Sequence, residues 1–241
     1  MACSFKGVFF DMDDTLYDHL GPLRDSLQEV LSLQGDYAYF DKIYHRFRYY
    51  TDVLSANLKG TFAEHNTELI EDVRLQRFRS TLADFGLSIT KSQAQALQDD
   101  YIGRQFAIEM FEGARELLER LIADGLIVGI ITNGLETHQR KKIIAMHLDK
   151  LIPEERIFIS GAVGLDKPDP RLFAYVNEQT EVPASDCIYI GDSWRNDVMG
   201  TKAAGWKMIW FNHRHVKPET DHRPAYIAQD YTDLHRILLG L

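Results

Sequence analysis

Phe5-Lys6-Gly7-Val8-Phe9-Phe10 runs directly into Asp11-Met12-Asp13-Asp14-Thr15, an apolar run of strand length that stops abruptly at carboxylates. A short run apolar on both faces reads as a strand buried inside a parallel sheet. In open sheets of that kind ligands collect beyond the carboxyl ends of the strands. The acids after Phe10 are therefore the first place to look for chemistry.

Four similar runs follow much later: Leu126 to Ile131, Arg156 to Ser160, Cys187 to Ile190 and Trp206 to Phe211. Helical periodicity fills the gaps, at Gly113 to Ala123, Glu136 to His147, Pro170 to Gln179 and Asp197 to Ala204. Alternating strand and helix predict an α/β core with a parallel sheet. Asp169-Pro170 is first of all a helix start, with Asp as N-cap and Pro at the first helical position.

Between Leu20 and Ile108 no strand-like run occurs. Leu23 to Leu33, Tyr39 to Leu54, Glu68 to Phe85 and Lys91 to Phe106 all read as helices. The spacing predicts an all-helical cap domain over residues 20–108, inserted into a core made of residues 1–19 and 109–241. Hinges are expected near Tyr17 to Leu20 and Ile108 to Gly113.

The bulk properties narrow the class. A chain of 241 residues with 45% hydrophobic and 26% charged residues can bury an ample core and is not of disordered composition. A formal net charge of -9 argues against binding a nucleic-acid backbone, which calls for a basic face. Cys3 and Cys187 have neither disulfide nor metal spacing and are expected as free thiols. No apolar segment approaches the roughly 18 residues of a membrane span and no signal-like start is evident, so a cytoplasmic protein is expected, monomer or homodimer.

The strand ends carry the chemistry. Thr132-Asn133-Gly134 follows the second run, Gly191-Asp192-Ser193 the fourth, with Asp197 soon after and Asp166-Lys167-Pro168 between them. Asp11 can accept a phosphoryl group as an aspartyl phosphate. Asp13, two residues on, can protonate a leaving oxygen and later deprotonate water. A phosphate approaching several carboxylates needs a hard cation, and oxygen donors such as Asp11 and Asp192 suit magnesium. Thr132, the Asn133 and Gly134 amides and Lys167 are the donors expected on the phosphate. Asp197 fits better as a support for Lys167 or for metal-bound water. Asp14 and Thr15 are expected to stabilise the turn.

These clusters resemble the four motifs of the haloacid dehalogenase superfamily: Asp11-Met12-Asp13-Asp14-Thr15, Thr132-Asn133, Lys167, and Gly191-Asp192-Ser193 with Asp197. The resemblance implies a Rossmann-like core, a helical cap after the first motif, Asp11 as nucleophile, and magnesium held by Asp11, Asp192 and the Asp13 backbone carbonyl. Members that cleave carbon–halogen bonds do without the second aspartate of the first motif, so Asp13 favours a phosphatase. Ile130 to Gly134 and Gly164 to Pro168 look like the branch of bacterial nucleoside monophosphate phosphatases, while sugar-phosphate and phosphoglycolate phosphatases use similar motifs. A 2-haloacid dehalogenase and a non-catalytic binding protein are the more distant alternatives.

Three further features invite a functional reading. Tyr44 to Tyr50, with Arg46, Phe47 and Arg48, could meet a substrate, but aromatic residues at helical spacing are first of all core. His213, His215 and His222 lack good ligand spacing for a metal. Trp194 is bulky enough to alter the mouth of the site.

Overall fold

The computed structural model describes residues 5–56 and 67–240, so Cys3 lies outside the described residues. The chain divides into two compact units, Met1–Asp18 with Ile108–Leu241, and His19–Ala107.

The first unit is built on β1 (Gly7–Phe10), β2 (Ile127–Thr132), β3 (Ile157–Ile159), β4 (Cys187–Gly191), β5 (Lys207–Phe211) and β6 (Tyr226–Ala228), all parallel, in the order β3-β2-β1-β4-β5-β6. The chain builds outward from β1 to β3, then crosses back to place β4 on the other side of β1. That reversal puts the topological switch point between β1 and β4, where a crevice opens beyond the strand ends. Phe10 is in register with Ile130 on one side and Ile190 on the other, which brings the residues following all three strands to one edge.

Alternation along β1 separates two cores. Val8 and Phe10 join Ile130, Ile188, Ile190 and Ile209 on one face, while Phe9 joins Ile131, Tyr189, Met208 and Trp210 on the other. Helices cover both faces. On the first, α5 (Ala114–Ala123) supplies Leu117, Leu118 and Leu121, and α10 (Tyr231–Leu239) supplies Leu234 and Leu238. On the second, α8 (Pro170–Thr180) supplies Leu172, Phe173 and Val176. Each such buried side chain contributes about 1.5–3 kcal/mol, which makes a central strand apolar on both sides the economical choice. Asp169 caps α8 by accepting the Arg171 N–H at 2.9 Å, with Pro170 at the first helical position.

Three details differ from the sequence reading. The expected helix at Asp197 begins as one wide turn, Trp194–Val198, before α9 (Met199–Ala204), because the Asp197 carboxylate caps the Ser193 N–H at 2.9 Å and holds the chain open there. The short β6 and α10 extend the core past the last expected strand. Trp194 is buried against Trp210, with ring centroids 4.6 Å apart, and donates to Thr220 at 2.9 Å, so it is a core residue.

The second unit is helical: α1 (Leu20–Leu31), α2 (Tyr37–Ala56), α3 (Thr67–Asp84) and α4 (Lys91–Arg104). Its core uses helical spacing, Leu20, Leu23 and Leu27 meeting Phe40, Ile43, Tyr44 and Phe47, then Phe78, Leu82, Leu97 and Tyr101. Tyr44 and Phe47 are therefore packing residues. Arg46 pairs with Asp84 and lies over the Tyr49 ring. Thr90 and Gln93 start α4 with a reciprocal capping box.

Candidate active site

Asp11 follows β1 and donates its N–H to the Ile190 carbonyl at 2.8 Å, so its backbone is fixed by β4. Thr132 ends β2, and Asp192 comes directly after Gly191 at the end of β4. Three motifs distant in sequence thus share the edge that the strand order defines.

Lys167 is the hub of this edge. Its buried ammonium donates to Asp11 Oδ1 at 2.7 Å, Asp197 Oδ1 at 2.8 Å and Tyr189 Oη at 2.7 Å. Three acceptors match the three N–H donors of an ammonium group. Burial alone would lower the Lys167 pKa, but Asp11 and Asp197 outweigh it and hold the group above its ordinary value. Burial pushes Asp11 up to about 7; Lys167 opposes the shift, while Asp197 and Asp13 add to it. Asp197 is fully buried with one oxygen on Lys167 and the other on the Ser193 N–H.

Glycine is required beside it. A Cβ at Gly191 would fall 2.3 Å from Asp197 Oδ2.

Asp13 has separate tethers. Lys142 Nζ donates to Oδ1 at 2.9 Å and Oδ2 at 3.0 Å, and Tyr17 Oη donates to Oδ1 at 2.7 Å. Lys142 sits on α6 (Glu136–Ala145), one turn beyond Gln139. Gln139 Nε2 donates to Thr132 Oγ1 at 2.8 Å and to the Asn133 carbonyl at 2.9 Å. The Thr132 oxygen thereby accepts a hydrogen bond, and its own hydroxyl hydrogen remains available to an anion.

Asn133 clamps the Lys167 backbone, accepting its N–H and donating to its carbonyl, both at 2.9 Å. Its side chain is committed to positioning Lys167, and the backbone is what it can offer a phosphate. The Gly134 N–H, expected as an anion donor, instead donates to Ser160 Oγ at 3.0 Å. Asp14 occupies a left-handed backbone position, φ 59°, and accepts from Arg214 at 2.7 Å, which agrees with a turn-stabilising part. The Thr15 hydroxyl has no hydrogen-bond partner among the described residues, and it is the Thr15 carbonyl that is engaged, by Tyr231 Oη at 2.7 Å.

Lys142, Gln139 and Tyr189 were not singled out by the sequence. A signal existed for the first two: both fall on the same helical face as Ile143 and Met146, and polar residues on a buried stripe require partners.

Asp11, Asp192 and Asp197 each present a carboxylate oxygen, all within 4.8 Å of one another. Three hard anionic donors around one point, with a single ammonium in direct contact with two of them, leave a charge deficit that a small dication fits. Since both Asp197 oxygens already accept hydrogen bonds, Asp11 and Asp192 are the side chains better suited to hold such an ion.

The sequence pattern of the haloacid dehalogenase-like hydrolases matches residues 5–205. The chain belongs to that family. Among curated relatives, this hydrolase is 28% identical over 211 residues to the glyceraldehyde 3-phosphate phosphatase of Pyrococcus furiosus, covering 86% of this chain and 81% of that one. It is 26% identical over 235 residues to the pyrimidine 5'-nucleotidase PynA of Streptococcus pneumoniae, covering 95% and 93%. In fold, the hydrolase is similar to the magnesium-bound HAD-hydrolase YfnB of Bacillus subtilis, with a TM-score of 0.71 at 22% identity, covering 97% and 98%. Among its described residues no helix is long and apolar enough to cross a membrane.

Proposed function

We propose that this hydrolase is a magnesium-dependent phosphomonoesterase acting on a small phosphorylated metabolite, with a nucleoside monophosphate as the first class to test. The observation that carries the reading is the division between two carboxylates two residues apart. Asp11 rests on Lys167 beside Asp192, whereas Asp13 is held by Lys142 and Tyr17. Different surroundings for paired carboxyls are how one site assigns separate nucleophile and acid/base roles.

Asp11 attacks phosphorus as the bond to the leaving oxygen breaks, and Asp13 gives that oxygen its proton. Water then attacks the aspartyl phosphate, Asp13 takes the water's proton, and the phosphorus–oxygen bond to Asp11 breaks to release phosphate. Thr132, the Asn133 backbone and Lys167 bind the transferring oxygens, and Asp197 keeps Lys167 aimed at Asp11. Magnesium, held by Asp11, Asp192 and the Asp13 carbonyl, would supply the positive charge that lets a phosphate enter an acidic site.

Curated relatives named for a triose phosphate and for pyrimidine nucleotides support a small phosphomonoester without choosing among sugar phosphates, phosphoglycolate and nucleotides. A cytoplasmic address, as monomer or homodimer, belongs to the same proposal and is supported by the free thiol of Cys187. The test is phosphate release from a panel of nucleotides, sugar phosphates and small phosphorylated acids, with magnesium and after chelation. Turnover that disappears in Asp11→Asn and on chelation supports the reading. Full turnover in Asp11→Asn refutes Asp11 as the nucleophile, no phosphate release from any compound refutes the phosphomonoesterase, and chloride release from a 2-haloacid without metal would replace it with a dehalogenase.

A further inference from the structure

The contact between Lys142 and Asp13 joins residues 129 positions apart in the sequence, and the lysine side chain is only 2% exposed. Burying an ammonium has a high desolvation cost unless it is paired, and an apolar residue of similar size is often equally stable there. Ile143 and Met146 already fill the same face of α6 with apolar groups, so packing gives no reason for a charge at position 142.

The loop that carries Asp13 also does not depend on Lys142 for its shape. Thr15 and Leu16 both donate their N–H groups to the Met12 carbonyl, at 3.3 and 2.9 Å, and Tyr231 anchors the Thr15 carbonyl at 2.7 Å. Asp13 and Tyr17 form a backbone bridge of their own. What Lys142 adds falls on the carboxyl group alone. With Nζ near-equidistant from both oxygens and Tyr17 fixing Oδ1, rotation about the side-chain bonds is restrained from two directions.

We propose that Lys142 is a positioning residue for Asp13, holding its carboxyl in one orientation for proton transfer and acting on the reaction only through it. The parallel with Gln139 supports this. One turn earlier on the same helix face, Gln139 performs the corresponding service for the Thr132 hydroxyl. A single helix, α6, thus aims two buried polar side chains at the ends of two different strands. The inference rests on the acid/base role given to Asp13 above.

The experiment is a double-mutant cycle in magnesium, with phosphate release measured from an alkyl phosphate and from p-nitrophenyl phosphate. Misplacing a proton-transfer group should lower kcat by about 10- to 100-fold with KM changed by no more than about threefold. Lys142→Met is expected to show that loss in the otherwise intact chain and no further loss when added to Asp13→Asn. Lys142→Arg, which keeps a cation in reach of the carboxylate, is expected to recover part of the turnover. Unchanged kcat in Lys142→Met, or an equal loss in the Asp13→Asn background, overturns the inference. Should Lys142→Met fail to fold by circular dichroism, Lys142→Gln carries the same comparison. Full activity of Lys142→Met beside an inactive Asp11→Asn and a slowed but measurable Asp13→Asn overturns this inference alone. No phosphate release by the unsubstituted chain from any phosphomonoester overturns the phosphomonoesterase reading and this inference with it.

Discussion

Tyr189 Oη accepts from Lys167 Nζ at 2.7 Å and passes its own hydrogen to the Ile131 carbonyl at 2.7 Å. The phenol therefore links the ammonium of the site to the backbone at the carboxyl end of β2. Burial, then Asp197 and Asp11, push its pKa well above the usual value, so it stays a neutral donor. Tyr189→Phe removes one of three acceptors from a buried cation and should destabilise the protein by about 1.5–3 kcal/mol. Urea denaturation monitored by fluorescence gives the shift. An unchanged midpoint would show that the Lys167 ammonium does not need this partner.

Gly191→Ala places a methyl group where the Asp197 carboxylate now lies. Asp197 must move, and Lys167 with it. A displacement of order 1 Å in a positioned group costs about a hundredfold in rate. The expected result is a fall in kcat of that size in a protein that still folds, measured as phosphate release alongside thermal melting.

Arg214 donates to Asp14 at 2.7 Å and to Asp18 at 2.6 Å, with the guanidinium nearly buried. Arg214→Met takes the guanidinium from the equally buried Asp14 carboxylate, whose neighbour His213 lies farther off at 3.9 Å, a loss of about 3 kcal/mol. Calorimetry should find a lowered Tm. A melting temperature equal to that of the parent would mean that solvent replaces the guanidinium at no cost.

Asp192→Asn keeps the shape of the side chain and removes one negative charge from the acidic trio. Fewer anionic ligands weaken a dication site, so the magnesium concentration for half-maximal turnover should rise by about tenfold or more. A magnesium titration of phosphate release reads this directly. No rise would remove Asp192 from the ion's neighbours.

Cys187 is buried in β4, and burial pushes its thiol up to about 12. A thiol that stays protonated is a poor nucleophile. In a Cys3→Ser background, iodoacetamide should label the native protein very slowly at neutral pH and the urea-unfolded protein quickly, as followed by mass spectrometry.

The strands and the acids at their ends were legible because both signals are local. An apolar run that halts at Asp11, or at Thr132, or at Gly191-Asp192, announces its own carboxyl end. Lys167 came less directly, from the need for a cation among those acids, since a lysine in a loop has no periodicity to mark it. Tyr189 was hidden for the opposite reason: between Ile188 and Ile190 it reads as one more core aromatic, and its hydroxyl matters only because the loop before α8 and strand β2 deliver Lys167 and Ile131 to it. Lys142 and Asp13 meet through tertiary placement of α6, which no spacing in the sequence encodes. β3 is equally short but wholly buried, whereas β6 exposes Tyr226 and Ile227 and so shows no apolar run of its own.

The strand order also constrains how the chain is made. β1 is synthesised well before its two partners, which begin only at Ile127 and Cys187. During translation this very apolar strand waits with both edges unpaired until β2 emerges, and with one edge unpaired until β4 does. Contacts that span such distances form late and expose sticky surface meanwhile. The nascent protein should therefore rely on chaperones until β4 has left the ribosome, and truncations that end before Cys187 should accumulate as insoluble material.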